Sequence, residues 1–293
     1  MRTSGIFKVH AFKIKLAAGT ACRIIPFGDV HRDSDSHAKK PWQDFLKYAA
    51  RQTDAYFLGM GDFVDGFSTS ERAILSDGHL HETSQRNFER QADAQVKRLA
   101  KELRPLEGRI IGLLGGNHYF SFSDGTDSDQ RLARELKCRY LGACAAIRLL
   151  VKGSITPHSG VHRVDIAAHH GRGAARTIGG SLAGVQKLMD CFDCDIHLMG
   201  DDHKVGCCPV GQRLQIVRCP GTDSGYTVTS RTPWIGRTGS FTRGYEQDIG
   251  SYVVDAAFPP TSLGWIEFTI RLMRKPDSGG HRELSIEGAT KLA

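Results

Sequence analysis

The chain has 293 residues, of which 40% are hydrophobic and 24% are charged, and its formal net charge is +7 with histidine neutral. This balance is ordinary for a globular protein and suffices for one large core or two modest ones. No apolar run approaches the ~20 residues of a membrane span, which excludes a transmembrane helix. The positive charge permits an anionic partner such as nucleic acid but does not require one.

The N-terminus and the cysteines both bear on the cellular compartment. Residues 1–5 lack the apolar core of a signal peptide, so we expect a cytoplasmic protein. The eight cysteines fit that compartment as reduced thiols. Cys191 and Cys194 have the spacing of a metal or redox pair, and Cys207-Cys208 could complete four thiolates, but the spacing of the second pair is wrong for a zinc knuckle. We therefore expect free thiols.

In chain order, the apolar patterns predict an α/β protein. Strands are expected at residues 6–16, 21–27, 55–60, 109–114, 146–151, 161–168, 196–199, 214–219 and 265–272. Helices are expected around residues 42–49, at 88–103, after an Asp127 or Ser128 cap, and from a Ser181 cap to Phe192. A polar insertion covers 67–81, and a Gly/Ser/Thr/Arg-rich segment covers 221–250. The simplest organisation is one domain over residues 1–293.

Five of the predicted strands end in short loops that hold metal-ligand residue types. These residues are Asp29 and His31, Asp62, Asn117 and His118, His169 or His170, and Asp201 with His203. A lone Asp after glycine is usually a turn residue, but turn chemistry alone does not explain the repetition. A sheet would gather such loops at one edge. These residues are more numerous than the four ligands of one tetrahedral metal ion. Their number suits a site with two metal ions about 3.5–4 Å apart.

The order and spacing of these loops are similar to those of a known family. Gly28-Asp29-Val30-His31, Gly61-Asp62, Gly116-Asn117-His118, His170-Gly171 and Gly200-Asp201-Asp202-His203 resemble the motifs of calcineurin-like metallophosphoesterases. The resemblance covers a core at about residues 21–203, followed by a β-rich part at 204–293. It implies a four-layer α/β/β/α sandwich and hydrolysis of phosphate esters by a hydroxide that bridges two metals. Residues 170–173 and 177–180 also look like phosphoesterases of phages and prophages, which implies a bacterial or phage-infected cell.

The resemblance further implies a role for each site residue. Asp29, His31 and His203 hold the first metal, Asp62 bridges both metals, and Asn117, His170 and Asp201 hold the second. His118 binds no metal but faces the substrate and stabilises or protonates the leaving oxygen. His170 is preferred to His169 because the family's ligand directly precedes glycine, and strand neighbours point to opposite faces. Arg172 could bind phosphate or be a solvated loop residue.

The chain departs from the family pattern at two positions. An acidic residue that orients the histidine usually follows Asn-His, but here Tyr119 leaves His118 without an obvious anionic partner. Position 201 is usually histidine, and Asp201 is a harder ligand that favours Mn²⁺ or Mg²⁺. We therefore expect two divalent ions, with Mn²⁺ ahead of Zn²⁺, Fe, Ni or Mg²⁺. Alternatively, Asp201 turns away and only caps its loop.

Three functions remain open at the level of sequence. The leading one is a phosphodiesterase or nuclease acting on DNA or RNA. Candidate contacts to nucleic acid lie in the C-terminal half, at Arg218, Arg231, Arg237 and Arg243 and at the aromatic residues Trp234, Phe241 and Tyr245. The others are a small-molecule phosphatase and a non-catalytic binding or structural protein with a degraded site. Metal content distinguishes an enzyme from a non-catalytic protein, because an enzyme should hold two ions, whereas a degraded site could lose the second one.

Overall fold

The computed structural model describes residues 7–16, 20–67, 81–153, 161–173, 175–245, 252–255, 257, 259–274 and 282–293. The predicted polar insertion falls almost entirely on residues 68–80, which lie outside the described residues. Among the described helices, none combines the length and apolar character that crossing a membrane requires. All eight cysteines are free thiols, as the sequence predicts.

The strands form two large sheets and one ribbon. In chain order they are β1 (Val9–Leu16), β2 (Ala21–Phe27), β3 (Ala55–Gly59), β4 (Ile110–Leu113), β5 (Cys144–Gly153), β6 (Val161–His169), β7 (Ile196–Met199), β8 (Val205–Pro209), β9 (Arg213–Arg218), β10 (Tyr226–Arg231), β11 (Trp234–Thr238), β12 (Gly264–Arg274) and β13 (Arg282–Leu292). Sheet one has the order β1-β5-β6-β7-β11-β8, and sheet two has the order β13-β12-β2-β3-β4. β1 lies at one edge of sheet one.

The four longer described helices lie near the positions that the sequence predicts, while a short fifth one was not predicted. They are α1 (Lys39–Arg51), α2 (Glu82–Leu103), α3 (Ser128–Glu135), α4 (Ile178–Gln186) and α5 (Tyr252–Asp255), with 3-10 turns at Arg104–Leu106 and Lys187–Asp190. Asp127 caps α3, because its side chain accepts a hydrogen bond from the Gln130 amide at 2.6 Å. The predicted Ser181 cap of α4 is wrong. Thr177 caps this helix and accepts from the Gly180 amide at 3.1 Å.

Three layers of apolar contacts produce the four-layer α/β/β/α sandwich. The contact between the two sheets buries Ile24, Leu58, Ile147, Ile166, Leu198 and Phe268. On the other face of sheet two, α1, α2 and α3 pack through Phe27, Trp42, Phe45, Leu99 and Leu132. On the outer face of sheet one, α4 and the turn after it pack through Val185, Met189 and Ile235. The predicted fold class is therefore confirmed.

Strand β2 shows why its sequence is an unbroken apolar run. Ile24 faces the other sheet, while Ile25 and Phe27 face the helices, so both faces of the strand are buried. Pro26 cannot donate a ladder hydrogen bond, which would disturb a central strand. Pairing with β12 extends only as far as Ile24, however, so Pro26 sits where that ladder has ended. The strand continues along β3 and carries the chain directly into the loop at Asp29.

The ribbon of β9 and β10 projects from the edge pair β8 and β11, within a region whose strands the sequence only partly predicts. Its polar face is held to the body through Asp193, which lies 3.3 Å from Arg213 and also pairs with Arg231. The opposite face is apolar, with Leu214 70% and Ile216 78% exposed. β10 and β11 were not predicted, because Gly, Ser, Thr and Arg in segment 221–250 obscure the alternation.

Candidate metal centre

The topology brings the five polar loops together. Strands β2, β3 and β4 run parallel in sheet two, and β6 and β7 run parallel in sheet one, so their carboxyl ends meet at one edge. Three groups of possible ligand atoms each lie within 4.8 Å of one another there, and two of them consist of predicted ligands, while the third is His31, Asp65 and His118. The first group is Asp29, His31 and His203, and the second is Asp29, Asp62 and His170. These are the residues whose clustering the sequence predicts.

Asp62 lies between the two groups. Its Oδ2 atom is 3.6 Å from His31 Nε2 and 3.3 Å from His170 Nε2. Its Oδ1 atom accepts a hydrogen bond from the His118 amide at 2.8 Å, which fixes the orientation of the carboxylate. The side chain is buried. One oxygen therefore faces an imidazole on each side, as a ligand shared by two ions would.

His170 is surrounded by acceptor atoms. Its Nδ1–H donates to the Met60 carbonyl at 2.7 Å, which leaves Nε2 as the ligand atom of the neutral ring. Asn117 Oδ1 lies 3.0 Å and Asp201 Oδ1 lies 3.7 Å from this Nε2. Asp201 thus faces the cluster rather than turning away. Its second oxygen accepts from the Gly173 amide at 2.7 Å.

The group of Asp29, His31 and His203 is organised around Asp29, which is fully buried. His203 Nε2 lies 3.7 Å from Asp29 Oδ1, and the Asp201 amide donates to both oxygens of Asp29 at 3.1 Å. The two loops that follow β2 and β7 are thereby joined across the sandwich. A displacement of either loop would move ligands in both groups.

Asp65 orients two histidines and corrects one sequence-based expectation. His31 Nδ1–H donates to Asp65 Oδ1 at 2.7 Å, and His118 Nδ1 lies 3.4 Å from the same oxygen. His118 therefore has an anionic partner in spite of Tyr119, and the expectation that it lacks one is wrong. The signal was available, since Asp65 lies three residues after Asp62 in the same loop. The carboxylate leaves Nε2 of each ring free to act as ligand or proton carrier.

Two further residues of this region have clear positions. His169 points away from the cluster, and its Nδ1 accepts from the Gly171 amide at 2.7 Å. The structure thus brings His170 rather than its neighbour to the site, in agreement with strand alternation. Arg172 is exposed on the loop that follows.

The backbone at the site is held in an unusual conformation. Among the described residues, seven that are not glycine have positive φ, and five of them are Asp29, His31, Asp62, Asp201 and His203. Such angles cost energy for residues with a Cβ atom and are concentrated at functional sites. Gly116 is required for a related reason: a Cβ there would lie 1.9 Å from Asp62 Oδ1. The backbone at Gly116 therefore packs directly against Asp62 at this edge of the sheets.

The titratable groups of the site compete for protons. Burial is the main reason why the pKa of Asp29 rises to about 8. For His31, burial lowers the pKa, but the hydrogen bond to Asp65 and the charge of Asp62 outweigh it and raise the pKa to about 9. For His170, burial also acts downward, but Asp62 and Asp29 raise the pKa to about 10. The pKa of His203 falls to about 3, because burial and the neighbouring His31 act in the same direction.

The donor set fits divalent cations. Within the described part of the chain, His31 Nε2 is buried and has no hydrogen-bond partner. His170 Nε2 faces the side-chain oxygens of Asn117, Asp62 and Asp201, none of which can donate in its usual form. Converging acceptors need a proton or a cation between them. The carboxylate, amide and imidazole ligands suit transition-metal ions.

Asp129 was not found from the sequence. It is buried in the first turn of α3, and its Oδ2 atom accepts from the Gly116 amide at 2.9 Å. Burial raises its pKa to about 8. The hydrogen bond from Gly116 to Asp129 connects the loop of Asn117 and His118 to α3. No sequence signal separates it from an ordinary acidic residue near a helix N-terminus.

Most of the residues predicted to contact nucleic acid in the C-terminal half have structural roles instead. Arg237 is 4% exposed and Phe241 is 1% exposed, so neither can contact a substrate. Arg243 donates to the His37 carbonyl at 3.3 Å, and Trp234 Nε1 donates to the Ile286 carbonyl at 3.1 Å. These four side chains serve the scaffold. Among the candidates, Arg218 and Tyr245 are exposed, and half-buried Arg231 pairs with Asp193 and Asp195.

Comparisons with known proteins identify distant structural neighbours. No protein-family model and no curated protein matches the sequence. Vps29 from Entamoeba histolytica complexed with Zn²⁺ is similar at 13% identity, over 92% of this chain and 98% of that chain, with a TM-score of 0.40. Chaetomium thermophilum Vps29 is similar at 10% identity, over 92% and 97% of the two chains, with a TM-score of 0.39. A predicted phosphoesterase from Streptococcus pneumoniae is similar at 11% identity, over 94% and 100%, with a TM-score of 0.34. These values are too low to assign a function, which is therefore argued from the site.

Proposed function

We propose that this chain is a metal-dependent phosphoesterase that holds two divalent cations. The observation that carries the proposal is the position of Asp62, whose Oδ2 atom lies 3.6 Å from His31 Nε2 and 3.3 Å from His170 Nε2. A carboxylate oxygen between two imidazoles, all three buried, is the arrangement expected of a ligand shared by two cations. The orphaned His31 Nε2 gives independent support.

The ligands divide into two sets around this shared oxygen. One set is Asp29, His31 and His203, and the other is Asn117, His170 and Asp201. When bound, two divalent cations acidify water and draw negative charge from a phosphoryl group. Mn²⁺ is the proposed ion because Asp201 adds a hard oxygen ligand where an imidazole would favour Zn²⁺. Asp65 and the Met60 carbonyl hold the rings of His31 and His170 in the required tautomers.

His118 is proposed as the group that protonates the leaving oxygen. Its Nδ1 faces Asp65, so Nε2 is the atom available to the substrate, and the side chain is 30% exposed. Its backbone amide binds Asp62, which fixes the distance between the proton carrier and the shared ligand. Exposed Arg172 is the proposed contact to the phosphoryl oxygens.

The proposed substrate is a phosphodiester of nucleic acid, in a cytoplasmic setting. The net charge of +7 supports an anionic polymer, and exposed Arg172, Arg176 and Arg218 could contribute to binding. Because Arg237 is buried, it cannot contact nucleic acid and does not support this substrate. A small-molecule phosphatase therefore remains the second candidate, and the narrower likeness to phage phosphoesterases rests on residues 170–173 and 177–180.

A hydrolysis screen tests the activity and separates these substrates. Protein treated with chelator and reloaded with Mn²⁺ would be assayed on bis-p-nitrophenyl phosphate, p-nitrophenyl phosphate and DNA. Cleavage of the diester and DNA is expected, with weaker action on the monoester. Preference for the monoester would identify a phosphatase. Absence of all three activities in protein that binds two ions would overturn the enzymatic proposal.

Two substitutions test the roles within the site. Asp62→Asn should abolish hydrolysis and reduce binding of both ions, since a neutral amide cannot share its charge between two cations. His118→Asn should retain two ions and lose about 10²–10⁴ in rate. His162→Asn is the matched control, because this half-buried histidine lies at the other end of β6. Equal loss of metal in the Asp62 and His118 variants would contradict the assigned roles.

A further inference from the structure

The loop after β7 supplies one ligand to each half of the proposed site. Asp201 lies against His170, and His203 lies against Asp29. Both residues have positive φ, at 71° and 59°, so the loop is held in a conformation that residues with a Cβ atom avoid. Asp202 lies between them in the chain and is buried, 7% exposed. Something outside the loop must keep this arrangement in place.

Arg237 reaches that loop from β11, the neighbouring parallel strand. Its guanidinium is 4% exposed. Nη1 donates to the Gly200 carbonyl at 2.6 Å, immediately before Asp201. Nε donates to the Ser181 carbonyl at 3.0 Å and lies 3.5 Å from Asp202 Oδ2, immediately before His203. The same cation therefore contacts the chain on both sides of the first ligand.

Ser181 and Asp202 complete the connection to α4. The Ser181 hydroxyl donates to Asp202 Oδ2, and the Lys204 amide donates to Asp202 Oδ1 at 3.2 Å. Ser181 lies in the first turn of α4, where it does not act as the helix cap. The Gly200–His203 loop, β11 and α4 thus all contact the buried ion pair of Arg237 and Asp202. Burying such a pair is costly unless its geometry is good, and its best-attested use is to specify one conformation.

We propose that Arg237, Asp202 and Ser181 form a positioning network that holds the Gly200–His203 loop with Asp201 and His203 aimed at the two ions. This inference rests on the proposed two-metal site but not on its catalytic activity. The network binds neither metal nor substrate. It also couples the first turn of α4 to both ligand sets, so loosening that turn should weaken metal binding without touching a ligand.

The test compares Arg237→Met and Asp202→Asn with Arg231→Met. Arg231 is the matched control because it is half-buried and paired with Asp193 and Asp195, but holds the ribbon instead of the metal loop. Circular dichroism would verify that each variant is folded. Binding of Mn²⁺ would be measured by calorimetry, and amide hydrogen exchange of residues 200–204 would be measured in chelator-treated protein.

The expected result is about 10–100-fold weaker Mn²⁺ binding in both network variants and faster exchange at residues 200–204. The control should change Mn²⁺ affinity by less than threefold. Should Arg237→Met not fold, Asp202→Asn and Ser181→Ala carry the test. Folded network variants with wild-type affinity and exchange would overturn the inference. Wild-type protein that binds two ions but hydrolyses nothing would instead refute the proposed activity and leave this inference standing.

Discussion

At the scale of single residues, one carboxylate controls two histidines with different tasks. Asp65 accepts from His31 at 2.7 Å and lies 3.4 Å from His118. Asp65→Asn should therefore weaken binding at the first metal set by about 10–100-fold and also lower the hydrolysis rate. His118→Asn should lower only the rate. Calorimetry and steady-state kinetics on both variants separate the effects, and wild-type metal affinity in Asp65→Asn would argue against this dual role.

Asp201 is the residue that should set metal preference. Its Oδ1 atom lies 3.7 Å from His170 Nε2, within a site that already contains Asp29 and Asp62. A third carboxylate should favour Mn²⁺ over Zn²⁺ and place the pH optimum on the alkaline side of neutrality. Asp201→His should shift the preference toward Zn²⁺ or Ni²⁺ and lower the optimum, while Asp201→Ala should lose the second ion first. Unchanged stoichiometry and preference in both variants would exclude Asp201 as a ligand.

At the scale of elements, the loop after β11 joins the helical core to the metal loops. Phe241 packs against Trp42 and Phe45 with ring centroids 5.0 and 5.2 Å away, and its amide donates to the Asp29 carbonyl at 3.0 Å. Phe241→Ala should lower the free energy of unfolding by about 3–5 kcal/mol, measured by urea denaturation. Exposed Tyr245→Ala should change it by less than ~0.5 kcal/mol. Weaker DNA binding without loss of stability in Phe241→Ala would restore a substrate role.

The sequence predicts those elements whose constraints are local. Runs such as Ile24–Phe27 are apolar because both strand faces are buried, and the polar ligands directly after them mark the sheet edge. The roles that were missed or misassigned depend on partners distant in the chain, even though Asp65 itself lies close to Asp62. Asp65 lies 34 positions from His31, and Arg237 lies 56 positions from Ser181. Nothing near Arg237 in the chain distinguishes a buried cation that supports a loop from a surface arginine that binds nucleic acid.

At the scale of the whole molecule, the clustered charges should make stability depend on pH and metal together. The folded pKa values of Asp29 and Asp129 are about 8, and those of His31 and His170 are about 9 and 10, all above the unfolded values. A raised folded pKa means that the folded state holds more protons, so stability falls as pH rises toward that pKa. His203, whose folded pKa of about 3 lies below its unfolded value of 6.5, opposes this trend near pH 6.5, and its opposition fades by about pH 7.5, where it is largely neutral in both states.

Chelator-treated protein should therefore unfold at progressively lower temperatures between pH 6.5 and 8.5. Added Mn²⁺ replaces the protons, so its stabilising effect should grow over the same range. Thermal unfolding with EDTA or Mn²⁺ at pH 6.5, 7.5 and 8.5 measures both trends. Asp129→Asn, which removes one of these carboxyl groups, should flatten the curve in EDTA. A gain from Mn²⁺ that is constant with pH would show that these groups do not titrate on metal binding.

The left-handed backbone at the ligands has a consequence for how such a protein would change over generations. Asp29, His31, Asp62, Asp201 and His203 all have positive φ, at a cost of about 1 kcal/mol each for residues other than glycine. Together they amount to about 5 kcal/mol, at least a third of the ~5–15 kcal/mol that keeps a domain folded. Metal binding at these positions would explain why they carry Asp and His rather than glycine. A descendant freed from binding metal would gain stability by losing them, so its site would decay long before its fold.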